Sequence, residues 1–176
     1  MPSWEIHEKY VKLMGIPIEI AKEINKLIDD VRWHDFFNSF LKKNLKPRDP
    51  ETISYLNYLK SSGVLKFLGI RRVRVVSYSF NSSSFCKSSF YKKIEKYGEN
   101  GLKAFFLHMF LDLIEKNEKG KGFDIMEIND ADGYCIRYIW EVEDFIKSNM
   151  SAILTDIYRK DKRNGKLKKI KGKLTI

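Results

Sequence analysis

His7, His34, Asp35, His108 and Asp112 are the residues of this chain whose types and spacing could do chemistry, and they include all three of its histidines. His7 falls on the apolar side of an N-terminal helical pattern with Trp4, Tyr10, Val11 and Met14. His34 and Asp35 stand side by side in "DDVRWHDFF", and His108 lies in "AFFLHMFLDLIEK" four residues before Asp112. That spacing puts His108 and Asp112 on one helix face. An aspartate inside so apolar a run is costly to bury unless its charge is compensated. A divalent metal would compensate all of these residues at once, with imidazoles and carboxylates converging from three helices. Mixed His and Asp donors suit Mn, Ni, Co, Fe, Mg or Zn better than an ion that seeks thiolates. Such an ion lowers the pKa of bound water and polarises a phosphoryl oxygen, so the implied reaction is phosphoester hydrolysis. A plainer alternative stands beside it. His34-Asp35 can simply start a helix, with Asp35 favoured by the dipole, and His108 can satisfy Asp112 as its i, i+4 neighbour.

The order His7, then His34-Asp35, then Asp112 resembles the H…HD…D pattern of the HD-domain metal-dependent phosphohydrolases, over roughly residues 3–116. The resemblance implies an HD-like helical bundle in which His7, His34, Asp35 and Asp112 hold the ion. It gives Asp35 a catalytic part as well, and makes His108 an extra ligand or a catalytic residue that polarises the phosphate. The substrates it implies are phosphomonoesters, nucleotides, cyclic nucleotides or nucleic-acid strands, hence a hydrolase or nuclease. The flanks differ from the family's usual small-apolar run before the pair and basic residue after it: here they read "DDVRW" and "FFNSF". Arg32 or Lys42 would then serve the phosphate. Shared ligation at about 2.0–2.2 Å requires the four ligands to lie within about 5 Å of one point.

The elements that must position these residues follow from the pattern. At 176 residues, with 43% hydrophobic side chains, the chain can bury a core without disulfides. It reads as one helical domain over 1–158 and a basic tail over 159–176. Nine of its 33 Lys and Arg residues fall in that tail against the single acid Asp161, which leaves the body close to neutral although the whole chain carries +10. The periodicity predicts helices from Trp4 to Met14, from Pro17 to Val31 (continuing, or restarting after a kink at Asp29-Asp30, through Leu41), from Asp49-Pro50 to Gly63, from Leu102 to about Lys116, and from about Glu141 to Arg159. A short helix is expected over 90–97, and "NSSSFCKSS" reads as a polar loop. Arg72 to Phe80 alternates as a strand, and "FDIMEI", "NDADG" and "YCIRYIW" read as strand, turn and strand. The expected fold is therefore mainly α, an HD-like bundle with a small antiparallel hairpin over about 123–140.

"NDADG" lacks the first acidic ligand and the twelfth-position Glu of a calcium loop, so a turn is the better reading. Cys86 and Cys135 form no C-x-x-C and read as two reduced thiols. Cys86 and the serines at 82–84 have no base nearby in sequence to activate a nucleophile. No run of about 18 apolar residues would cross a membrane, and the N-terminus lacks an apolar signal core. A cytoplasmic protein is expected. The alternative to an enzyme is a nucleic-acid-binding or interaction protein. It would meet DNA, RNA or a nucleotide through Arg71, Arg72 and Arg74 on the first strand and Lys168, Lys169 and Lys171 in the tail. Read plainly, the same features are an edge strand guarded by charge and a solvated tail.

Overall fold

Trp4–Leu13 forms the first helix, α1, and buries Ile6, His7, Tyr10 and Val11 on one face. Gly15 ends it in the left-handed region at φ +78, where a residue without Cβ is favoured. The Ile16 amide donates to the Val11 carbonyl and the Gly15 amide to that of Lys12, the paired closure that spares the last carbonyls of a helix. A computed structural model of the chain describes residues 4–30, 40–44, 50–63, 66, 72–118, 122–130 and 133–163.

Helix α2, Ile18–Asp29, starts just after Pro17 and buries Ala21, Ile24, Asn25 and Ile28. It stops at Asp29, because Asp30 turns extended at φ −63, ψ 128. An unbroken continuation past Asp29 is therefore not realised, and Leu41–Asn44 is a strand, β1; residues 31–39, where the pattern would restart, lie outside the described residues. Helix α3 covers Pro50–Ser61, as the Asp49-Pro50-Glu51 start predicts. Its Leu59 is fully buried, whereas Ile53 is exposed. Strand β2, Arg72–Phe80, matches the sequence reading at both ends.

The serine-rich segment expected as a loop carries a short helix, α4, Ser82–Cys86. Asn81 caps it, accepting a 2.9 Å hydrogen bond from the Ser84 amide. The physical reason lies in Phe85, which is fully buried. Phe105 stacks on it at 5.1 Å between ring centroids, and Phe40, Phe80, Phe90, Tyr91 and Phe106 surround it. One aromatic anchor overrides the polar composition around it. Helix α5, Tyr91–Ile94, runs into a 3-10 turn over Glu95–Tyr97.

Helix α6, Gly98–Glu118, is the centre of the fold. It is buried on nearly every side from Gly101 to Asp112 and packs on α1, α2, strand β3 (Gly122–Asp130) and the last helix, α7 (Ile136–Arg163). A helix apolar all round belongs inside a protein. Gly101 permits its close start: a Cβ there would stand 2.6 Å from the Ile94 carbonyl oxygen.

The described residues are mainly helical, with one small sheet in the order β1-β2-β3. β1 runs antiparallel to β2, with Leu41 opposite Phe80. β3 runs parallel to β2, with Arg72 opposite Gly122 and Phe80 opposite Asp130. The expected hairpin over about 123–140 is therefore corrected in its second half. "FDIMEI" is a strand, but its partner is β2 and its direction parallel. Most of "YCIRYIW" is the first turn and more of α7. Cys135, Ile139 and Val142 are buried there while Trp140 is exposed, which is helical rather than alternating spacing. Gly133, at φ +74, marks the turn between β3 and α7. Helix α7 runs on to Arg163, past the expected domain boundary at 158.

The ends of the described chain are tied together. The Tyr10 hydroxyl donates a 2.8 Å hydrogen bond to Asp156 Oδ2, and the Lys9 ammonium pairs with the same oxygen. Burial pushes the Asp156 carboxyl up, but the hydrogen bonds from Lys9 and Tyr10 outweigh it and hold it below its ordinary value. Burial and the same carboxylate push the Tyr10 hydroxyl far up. A carboxylate held low in the folded state contributes stability above its unfolded pKa, and that contribution is lost as pH falls through the folded value. Thermal melts from neutral pH down to about pH 2 should show Asp156→Asn losing less stability on acidification than the parent. Equal acid slopes for the two proteins would remove Asp156 from the account.

Candidate metal centre

Three helices meet where the polar residues of the core lie. His7 comes from the buried face of α1, His108 and Asp112 from successive turns of α6, and Asn25 from the buried face of α2. All are withdrawn from water: His7 is 2% exposed, Asn25 2%, His108 3% and Asp112 9%. The two imidazoles stack face to face, with centroids 4.2 Å apart and planes 20° from parallel. Two imidazolium rings so close in a buried place would repel strongly, so at least one is neutral. The neutral ring is the metal-binding form.

The Asp112 carboxylate spans the edge of this stack. Its Oδ1 lies 3.6 Å from His7 Nε2, and its Oδ2 lies 3.4 Å from His108 Nε2. Burial pushes the Asp112 carboxyl up, but the His108 contact and the charge that His108 and His7 can carry outweigh it, leaving it below its ordinary value. It stands as the carboxylate. On its far side His108 Nδ1 is 2.8 Å from Asn25 Oδ1.

These residues fit a metal ion. One donor atom from each of His7, His108 and Asp112 can be chosen so that all lie within 4.8 Å of one another. Donors bound at about 2.0–2.2 Å around a tetrahedral ion stand about 3.4 Å apart, and each imidazole has one Asp112 oxygen near that distance, Oδ1 for His7 and Oδ2 for His108. His108 Nε2 and Asp112 Oδ1 are buried without a hydrogen-bond partner among the described residues, and buried polar atoms left so call for a partner. The buried His7, His108 and Asp112 group can hold a metal ion.

Of the expected ligands, the structure brings His7 and Asp112 together, and it adds His108 as a full member of the group. His34 and Asp35 lie outside the described residues. Asn25 escaped the sequence reading. It falls on the apolar face of α2 with Ala21, Ile24 and Ile28, where the periodicity marks only the aliphatic side chains. The signal was an amide four residues after Ala21 and next to Ile24, on the face that carries the core.

The nucleic-acid candidates divide similarly. Arg72 and Arg74 lie on β2, at register with Gly122 and Asp124 of β3. β2 is the middle strand of the sheet, not an edge, although β1 flanks only its Ser77–Phe80 end. Arg71, Lys168, Lys169 and Lys171 lie outside the described residues. Among the described residues no helix is long and apolar enough to cross a membrane.

The fold and site define a mainly helical protein with a buried His-His-Asp group able to take a metal ion. No protein-family model matches the chain, and neither a curated protein nor a solved structure matches it.

Proposed function

We propose that this chain is a metal-dependent phosphohydrolase of HD-like bundle architecture, acting on a nucleotide or nucleic-acid phosphoester. The observation that carries the reading is the convergence of His7, His108 and Asp112 inside the core. Residues from α1 and α6 that are about a hundred positions apart in sequence place their donor atoms within 4.8 Å. In this reading His7, His108 and Asp112 bind a divalent ion such as Mn, Ni, Co, Fe, Mg or Zn, and His34 and Asp35 complete its ligands. Bound there, the ion supplies water activation and phosphoryl polarisation. The chain's own part is to fix the donors on packed helices and to keep bulk water from them. Asp35 then takes the catalytic role that the HD resemblance gives it.

The test loads purified protein with each ion in turn and follows hydrolysis of aryl phosphate mono- and diesters and of nucleotides. Hydrolysis that needs the ion and disappears in His7→Ala is the expected outcome. Absence of both metal uptake and hydrolysis with every ion would sink the reading. Salt-dependent binding of DNA or RNA that vanishes on deleting 160–176, without any turnover, would instead favour a nucleic-acid-binding protein.

A further inference from the structure

Asn25 has no place in the HD resemblance, yet it is as deeply buried as the histidines. It shares the inner face of α2 with Ala21, Ile24 and Ile28, where an apolar side chain would be the ordinary choice. Its Oδ1 faces His108 Nδ1 at 2.8 Å. An amide oxygen only accepts, so the ring nitrogen facing it must carry the proton and donate. A neutral His108 then holds its lone pair on Nε2, the atom directed at Asp112.

A second observation agrees. His108 Nε2 stands 3.4 Å from Asp112 Oδ2, longer than a well-formed charged hydrogen bond. A buried N–H aimed at a carboxylate closes to about 2.7–2.9 Å. The longer approach suits a lone pair and a carboxylate oxygen that face a common third partner. The Asn25 Nδ2 group finds no partner among the described residues, and a buried donor left so costs about 1–3 kcal/mol. A residue that uses its acceptor and leaves its donor idle is kept for the acceptor.

We infer that Asn25 is a positioning residue for the metal site: it accepts the Nδ1 proton of His108 and so presents the Nε2 lone pair to the ion that Asp112 and His7 share. This inference rests on the metal reading above. Outer partners of this kind, which fix ring tautomer and orientation, are worth about 10–100-fold in metal affinity.

The test compares the full-length parent with Asn25→Leu and Asn25→Asp by calorimetric titration of Zn2+ and Mn2+. It also locates the His108 ring proton in the metal-free parent by long-range 15N–1H correlation at a pH where the ring is neutral. The parent should carry the proton on Nδ1. Asn25→Leu should bind about 10–100-fold more weakly with its helical signal intact. Asn25→Asp, which keeps an acceptor at the same place, should bind close to the parent. A proton on Nε2 overturns the inference, because the amide would then be donating and the lone pair would face away from the ion. Equal affinity in the parent and Asn25→Leu overturns it alone, leaving the metal site standing. A parent that takes up neither ion overturns the metal reading and this inference with it. If Asn25→Leu fails to fold, the ring-proton position and the Asn25→Asp affinity still decide.

Discussion

Asp112→Ala is expected to abolish the stabilisation that a divalent ion gives the parent. A ligand held by the native state alone, at about a hundred times its dissociation constant, adds about 2.7 kcal/mol. For a domain of this size that is a rise of about 5–11 °C in melting temperature. Asp112 is the residue to remove because its carboxylate touches both imidazoles, at 3.6 and 3.4 Å. Without it the two rings present only neutral donors or a repelling charge. The competing account is an ordinary buried charge pair between Asp112 and His108, which share a face at i, i+4. Breaking a buried pair costs about 3–5 kcal/mol, and that account makes the variant far less stable while metal changes neither protein. Differential scanning calorimetry with and without ion, on both proteins, separates the two. A parent melting point unmoved by every ion tested would end the metal account.

Phe85→Ala should cost about 3–5 kcal/mol in denaturant melts, the cost of emptying an aromatic site in a packed core. The size of the effect follows from where the ring sits. It stacks on Phe105 from α6, meets Phe40 and Phe80 at the edge of the sheet and Tyr91 on α5, and is fully sealed from water. Removing it opens a cavity against α4, β2 and α6 at once, which the neighbours cannot all close. Tyr134, exposed before α7, is the control: Tyr134→Ala should stay within about 0.5 kcal/mol. Similar costs for the two variants would show that the aromatic cluster is not the anchor described.

How much of this could be read from the residues differs by element. α6 was legible from its long uninterrupted run of helix-compatible apolar residues, and β2 from its alternation. His108 and Asp112 were legible as neighbours for the same reason, since i, i+4 spacing is a local geometric fact. Tyr134 to Trp140 misled because its Tyr, Ile and Trp content is that of a strand, while the packing of Cys135, Ile139 and Val142 against the core selects helix. The parallel partnership of β3 with β2 was beyond local reading. It depends on a crossover through α4, α5 and α6 that no short window contains. Ser82–Cys86 failed for a related reason: three serines follow the pull of one phenylalanine whose partners include Phe40, Phe105 and Phe106, far from it in the chain. The meeting of His7 with α6 could be suspected only from the joint occurrence of histidines on apolar faces. Asn25 offered only an amide on the apolar face of α2, and its meaning lies in the ring it touches.

The tie between Tyr10, Lys9 and Asp156 bears on how an ion arrives. His7 sits one turn before Tyr10 on α1, so the strut that fastens this helix to α7 also seats a donor. On the proposed metal reading, donors this deeply covered would take up an ion through the lifting of an enclosing helix. α1, at ten residues, is shorter than α2, α6 and α7. Local opening of this kind has its own free energy, separate from global unfolding. The Asp156 contact raises it. On the proposed metal reading, the hold on the ion would then depend on a clasp between the first and last helices of the described chain, remote from the ligands themselves.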